Sequence, residues 1–119
     1  MTRRRRKSAG ARRIEFAYIT TPSRAVALRI AKFVVTEKLA ACANILGPMT
    51  SIYSWKGKIE RAPEFVLILK TTRARASALQ AQVKALHPYE NPCFVTLPVR
   101  DGLPDFLRWV ENGCRRNSP

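Results

Sequence analysis

The sequence lacks the features on which several classes of protein depend. No apolar run approaches the ~20 residues that cross a bilayer, so no membrane-spanning helix is expected. Histidine occurs once, at His87, and the three cysteines, Cys42, Cys93 and Cys114, form no Cys-x-x-Cys pair. This spacing argues against a closed zinc site and against a disulfide framework. A reducing compartment fits best, and a cytoplasmic location is expected.

Catalytic motifs are also absent. The sequence has no Gly-rich phosphate-binding loop, no Gly-x-Ser-x-Gly and no His-x-x-x-His, which are the patterns that mark common phosphoryl-transfer, hydrolase and metalloprotease sites. A single histidine leaves no second imidazole for a conventional acid–base pair. The prediction is therefore a protein that is not an enzyme.

Acidic residues are few, since 8 Asp and Glu stand against 22 Lys and Arg and the formal net charge is +14. A block of basic residues with no acid among them precedes Ile14: Arg3, Arg4, Arg5, Arg6, Lys7, Arg12 and Arg13. Such a block repels itself and has little to bury, so residues 1–13 are predicted to be a disordered basic tail. The block lacks the apolar region of a secretory signal, whereas an Arg-rich organelle presequence stays a second interpretation.

Hydrophobic periodicity predicts one domain over 14–115, followed by a short tail over 116–119. Strands are predicted at 15–20, at 41–55 with a break at Gly47-Pro48, at 64–71 and at 94–99. Helices are predicted from Thr21-Pro22 to about Lys38, over the apolar stripe from Ala76 to Leu86, and from Pro104 onward. This βαββαβ order with an added C-terminal helix is typical of the α+β, ferredoxin-like split βαβ fold, in which helices cover one face of an antiparallel sheet.

The second and third strands are predicted to form a long hairpin that turns at Lys56-Gly57. Alternation along the strand places Tyr53 and Trp55 on one face and Ile52 on the other. Aromatic side chains bury large areas and commonly anchor interfaces, so leaving these two in water would be costly. We therefore expect a homo-oligomer with Tyr53 and Trp55 at the interface.

Several blocks of the sequence, taken in order, resemble the signature of the CutA family, the divalent-cation tolerance proteins. The blocks are Lys38 to Gly57, Glu64 to Thr71, His87-Pro88-Tyr89 before Pro92, and Leu97-Pro98-Val99 before Asp101-Gly102. The resemblance implies a homotrimer with an architecture similar to that of the PII signalling proteins. It also implies a role in tolerance of, or response to, divalent metal ions, with copper as the expected metal.

His87, Glu90 and Cys93 lie in one proline-bounded loop and offer an imidazole, a carboxylate and a thiol. Imidazole and thiolate suit copper or zinc, so these three residues are the candidate metal ligands. The alternative is a hydrogen-bonded histidine beside a small apolar cysteine. Most CutA sequences that this chain resembles carry glutamate where Cys93 stands, which implies a shift toward Cu(I) or Zn(II). Cys42 is expected to be a buried core thiol.

The family pattern further implies a cleft between subunits lined by Lys70, Tyr89 and Trp55. An ammonium, a phenol and an indole would suit an anion or a small polar ligand. The alternative is a solvated lysine and a tryptophan that only packs an interface.

Two other functions stay open at this point. Trimerisation would bring three basic tails together, so the tail is a candidate for binding nucleic acid or an acidic surface. The rest of the chain lacks the clustered aromatic and arginine residues of RNA-binding modules. The trimer is otherwise a candidate scaffold or a small-ligand sensor of PII type.

Overall fold

The computed structural model describes residues 13–116 and contains an antiparallel sheet with three helices. The strands are β1 (Ile14–Thr21), β2 (Cys42–Trp55), β3 (Lys58–Thr72) and β4 (Phe94–Pro98), and the helices are α1 (Arg24–Thr36), α2 (Arg73–Leu86) and α3 (Pro104–Gly113). The strand order is β2-β3-β1-β4. The predicted α+β, ferredoxin-like arrangement is confirmed. Of the predicted tails, only Arg13 and Arg116 lie within the described residues.

The main core lies between the central strands and helices α1 and α2. Ala17 and Ile19 of β1 pair with Leu69 and Leu67 of β3, and all four side chains are fully buried. The predicted helical stripe of α1 covers them: Ala27, Ile30, Ala31 and Val34. Complete burial of each large aliphatic side chain is worth about 1.5–3 kcal/mol, so this layer supplies much of the driving force for folding.

Helix α1 begins two residues later than predicted. Thr21 was expected to cap the helix with Pro22 as its first residue, but Thr21 is still paired with Phe65 in the sheet. Ser23 caps the helix instead, because its hydroxyl oxygen accepts a hydrogen bond from the amide of Val26 at 3.2 Å. The Thr21 hydroxyl is engaged elsewhere, since it donates to the carbonyl oxygens of Ser23 at 3.0 Å and Phe65 at 3.3 Å.

The β2–β3 hairpin extends well beyond the rest of the sheet. β1 ends where Thr21 pairs with Phe65, and before Phe65 strand β3 has only β2 as a partner. We call the two-stranded segment from Met49 to Glu64 the arm; its β3 half spans roughly 23 Å at ~3.3 Å per residue. The predicted break at Gly47-Pro48 corresponds to a register shift between Leu46 and Met49, and β2 continues through it as one strand.

The turn at the tip of the arm is also as predicted. Lys56 and Gly57 both have positive φ, at 50° and 79°, as a two-residue hairpin turn of the primed type requires. Apolar side chains project from the arm, with Trp55 60% and Ile59 75% exposed. Among residues 13–116 no further strand pairs with the arm, and an isolated two-stranded ribbon is only marginally stable in water.

The added helix α3 packs at a different place from α1 and α2. Leu107 and Val110 are buried against Ile14 at one end of the sheet. Lys70 pairs with Phe16, and both side chains face away from the α1–α2 core because they alternate with Leu69 and Ala17. The Lys70 ammonium lies 5.5 Å from the Phe16 ring centre and 5.8 Å from that of Phe106 in α3. Helix α3 therefore reaches the face that the other two helices leave open.

None of the helices in the described part of the chain has the length and apolar character needed to cross a membrane.

Candidate functional site at the base of the arm

The loop from His87 to Cys93 joins α2 to β4 and is anchored through His87. The imidazole Nε2 lies 2.7 Å from the carbonyl oxygen of Thr20, and the Tyr89 amide donates to Nδ1 at 3.1 Å. Because Nδ1 accepts a hydrogen bond and Nε2 faces an acceptor, the ring is neutral with its proton on Nε2. His87 is only 7% exposed and ties the loop to the end of β1.

Tyr89 ties the same loop to the base of the arm. Its phenol donates to Glu64 Oε2 at 2.9 Å, and Glu64 is 8% exposed. Glu64 is the one site residue that the sequence analysis gave no role, although a single carboxylate directly before the apolar run of β3 was a visible signal. A buried carboxylate needs a hydrogen-bond donor, and the loop supplies one.

The Tyr89 phenol is expected to lose its proton at a higher pH than an ordinary tyrosine. Burial of the phenol, together with its hydrogen bond to Glu64 and the charge of that carboxylate, raises the pKa of Tyr89 from 10.0 to about 12. The folded state therefore holds the phenolic proton more tightly than the unfolded state, so this contribution to stability is complete below pH 10 and is lost as the pH rises toward 12.

A pH-jump titration of phenolate absorbance, taken as the difference between the unchanged chain and Tyr89→Phe, should give a midpoint near 12. In Glu64→Gln the midpoint should move down, because the carboxylate charge is removed. An unchanged midpoint in Glu64→Gln would show that Glu64 does not hold the phenol in its neutral form.

The three candidate metal ligands are not assembled into a metal centre within one chain. Among residues 13–116, no three or more His, Cys, Asp and Glu side chains are grouped closely enough to hold an ion. Both ring nitrogens of His87 are engaged in hydrogen bonds, whereas Cys93 and Glu90 are exposed to solvent. His87 would have to give up one of these bonds to bind a metal, and metal binding by the loop stays a prediction.

The three candidate cleft residues are also far apart within one chain. Tyr89 is hydrogen-bonded to Glu64 of β3, and Trp55 pairs across the hairpin with Lys58 of the same strand. Along β3, Glu64 is six residues from Lys70 in one direction and six residues from Lys58 in the other. At ~3.3 Å per residue, each separation is roughly 20 Å. Lys70, Tyr89 and Trp55 can therefore meet only if different chains contribute them.

The other cysteines lie away from this loop. Cys42 is half-buried rather than fully buried as expected, because it begins the edge strand β2. Cys114, to which the sequence analysis gave no role, is buried, and its thiol lies 3.9 Å from the Thr71 hydroxyl. Burial raises the pKa of the Cys114 thiol, which favours an unreactive, protonated side chain.

Comparisons with known proteins agree with these observations. The family model described as CutA1 divalent ion tolerance protein matches residues 15–113. The chain is 46% identical over 96 residues to the divalent-cation tolerance protein CutA of Archaeoglobus fulgidus, covering 81% of this chain and 93% of the relative. It is 46% identical over 94 residues to the Protein CutA homolog of Xenopus laevis, covering 79% of this chain and 62% of that relative.

A solved structure of the Archaeoglobus fulgidus protein superposes on this chain with a TM-score of 0.83 and 43% identity, covering 86% of this chain and 99% of that one. That protein is described as periplasmic, and relatives from rice and Arabidopsis thaliana are named chloroplastic. These relatives contradict the expected cytoplasmic location. The expectation was based on unpaired cysteines, and unpaired cysteines are compatible with more than one compartment. The sequence match over residues 15–113 and the shared fold together place the chain in the CutA1 divalent ion tolerance protein family.

Proposed function

We propose that this chain acts in divalent-cation tolerance as a non-enzymatic homotrimer, with a cleft between subunits formed by Lys70, Tyr89 and Trp55. The observation that carries the proposal is the separation of these three side chains within one chain, combined with an arm whose apolar side chains stay exposed among the described residues. A neighbouring chain that covers the arm would bury Trp55 and bring it to the loop or the strand end of another subunit.

The assembly is supported by the shape of the molecule. The described residues extend over 54 × 34 × 21 Å, and the arm projects beyond the part of the sheet that β1 covers. Trp55, Ile52 and Ile59 lie on this projection with most of their surface in water. Burying them against a neighbour would remove an aggregation hazard as well as stabilise the arm.

Within this proposal, copper binds to the loop through Cys93, with Glu90 as the neighbouring carboxylate. Cys93 is exposed and its thiolate is a soft ligand suited to Cu(I). His87 positions the loop rather than binding the metal, because both of its nitrogens already hold hydrogen bonds.

Native mass spectrometry of the reduced protein, with and without Cu(I), tests the proposal. We expect a trimer that gains a fixed number of copper ions per chain, with the gain lost in Cys93→Ser and retained in Cys114→Ser, which alters a buried thiol. His87→Gln should keep most of the copper. A monomer would refute the assembly, whereas a trimer that binds no copper would refute the metal role of Cys93 and leave the cleft as the site of action.

A further inference from the structure

A concave site lies at the opposite end of the sheet from the arm, where β3 passes into α2 beside the end of α3. It is a cavity of about 510 Å³, and most of its lining side chains are charged. The charged residues are Arg13, Arg73, Arg75, Arg115 and Glu111. Four guanidinium groups against one carboxylate leave the cavity strongly positive.

Two of the four arginines already have partners. Arg75 donates from Nε to the Lys38 carbonyl at 3.2 Å and from a terminal nitrogen to the Glu37 carbonyl at 3.4 Å. Arg13 lies 3.8 Å from the Glu111 carboxylate. These contacts engage the two side chains, and the second one uses Glu111, the one carboxylate among the described residues that line the cavity.

The other two arginines have no such compensation. Arg73 and Arg115 are exposed, and within residues 13–116 neither forms an ion pair with a carboxylate. The N-terminal end of α2, which starts at Arg73, adds a partial positive charge to the same region. A bound anion would supply the negative charge that neither arginine obtains from a carboxylate among residues 13–116.

We propose that this arginine cavity binds a small anion carrying phosphate groups, with Arg73 and Arg115 as the principal ligands. A guanidinium presents planar, paired donors that match phosphate oxygens, and the volume lies in the usual range for small-molecule sites. None of the lining residues within 13–116 is aromatic. Nucleic-acid single strands are commonly held by stacking on aromatic rings, so the lining favours a small phosphate compound over a strand. The site is separate from the arm, the loop and the proposed metal function.

Calorimetric titration with inorganic tripolyphosphate at low salt tests the proposal in the full chain. We expect saturable binding at one site per chain, weakened at least about tenfold in the double variant R73Q/R115Q, because each charged hydrogen bond contributes substantially to affinity. The matched control is R29Q/R108Q, which removes the same charge from exposed positions on α1 and α3 away from the cavity. The control should bind within about twofold of the unchanged chain, since distant charges are screened.

Three results would overturn the proposal. The first is that tripolyphosphate shows no saturable binding. The second is that R73Q/R115Q and R29Q/R108Q weaken tripolyphosphate binding equally, which would show that affinity depends only on net charge. The third concerns the basic tail: if R3Q/R4Q/R5Q/R6Q abolishes binding while R73Q/R115Q retains it, the tail holds the anion. Circular dichroism of R73Q/R115Q should match the unchanged chain, because both altered side chains are exposed.

Discussion

Trp55→Ala should weaken the assembly by about 2–4 kcal/mol per chain, which is the range of an aromatic residue buried at the centre of an interface. The indole lies near the tip of the arm and is 60% exposed within its own chain. The Lys56 ammonium lies 5.8 Å from the centre of its ring. Little of the folding energy of a single chain therefore depends on the ring, and its removal should act on association.

The measurement is the oligomer dissociation constant, obtained by sedimentation or native mass spectrometry over a dilution series. Trp55→Phe is the matched control, since it keeps an aromatic ring and should lose less than Trp55→Ala. The far-ultraviolet circular dichroism of both variants should stay the same, because the hydrogen bonds of the arm are made by the backbone. If Trp55→Ala dissociates at the same concentration as the unchanged chain, the indole is not an interface anchor.

Gly47→Ala should lower the free energy of unfolding by about 2–4 kcal/mol, through a clash combined with backbone strain. Gly47 has φ of +154°, and a Cβ built there would lie 2.5 Å from Phe65 Cδ2 and 2.9 Å from Cγ. The ring of Phe65 would have to move away from its present position. Gly47 is thus required where the arm leaves the main sheet, between the register-shifted residues Leu46 and Met49.

Gly57→Ala separates the cost of the steric clash from the cost of backbone strain. Gly57 also has positive φ, at +79°, but a Cβ there would meet no atom within 4 Å. It should cost only the backbone term, about 1–2 kcal/mol. Urea unfolding at one protein concentration gives both values, and Phe65→Leu combined with Gly47→Ala should recover part of the loss. Equal costs for the two glycine substitutions would show that the Phe65 contact carries no energy.

The helical stripes were predictable because they depend on short-range periodicity alone. Ala27, Ile30, Ala31 and Val34 recur at helical spacing, and all four are buried in α1 as expected. The hairpin turn was equally predictable from the sequence, since the glycine of Lys56-Gly57 readily adopts the positive φ that a two-residue hairpin turn requires. The start of α1 was not predictable from the local pattern, because the Thr21 hydroxyl is engaged with the carbonyl of Phe65, a residue far away in the sequence, and Ser23 caps the helix instead.

The sequence by itself determined the family, the order of the elements and the loop that holds His87, Tyr89 and Cys93, since each depends on residues close together in the chain. Only the tertiary structure decided what those residues contact. It engages both nitrogens of His87, pairs Tyr89 with Glu64, and gathers basic residues from both ends of the domain around one cavity. Apart from the bond between the Tyr89 amide and His87, these contacts join segments that meet only when the sheet forms, and no local pattern records which distant partner a polar side chain will find.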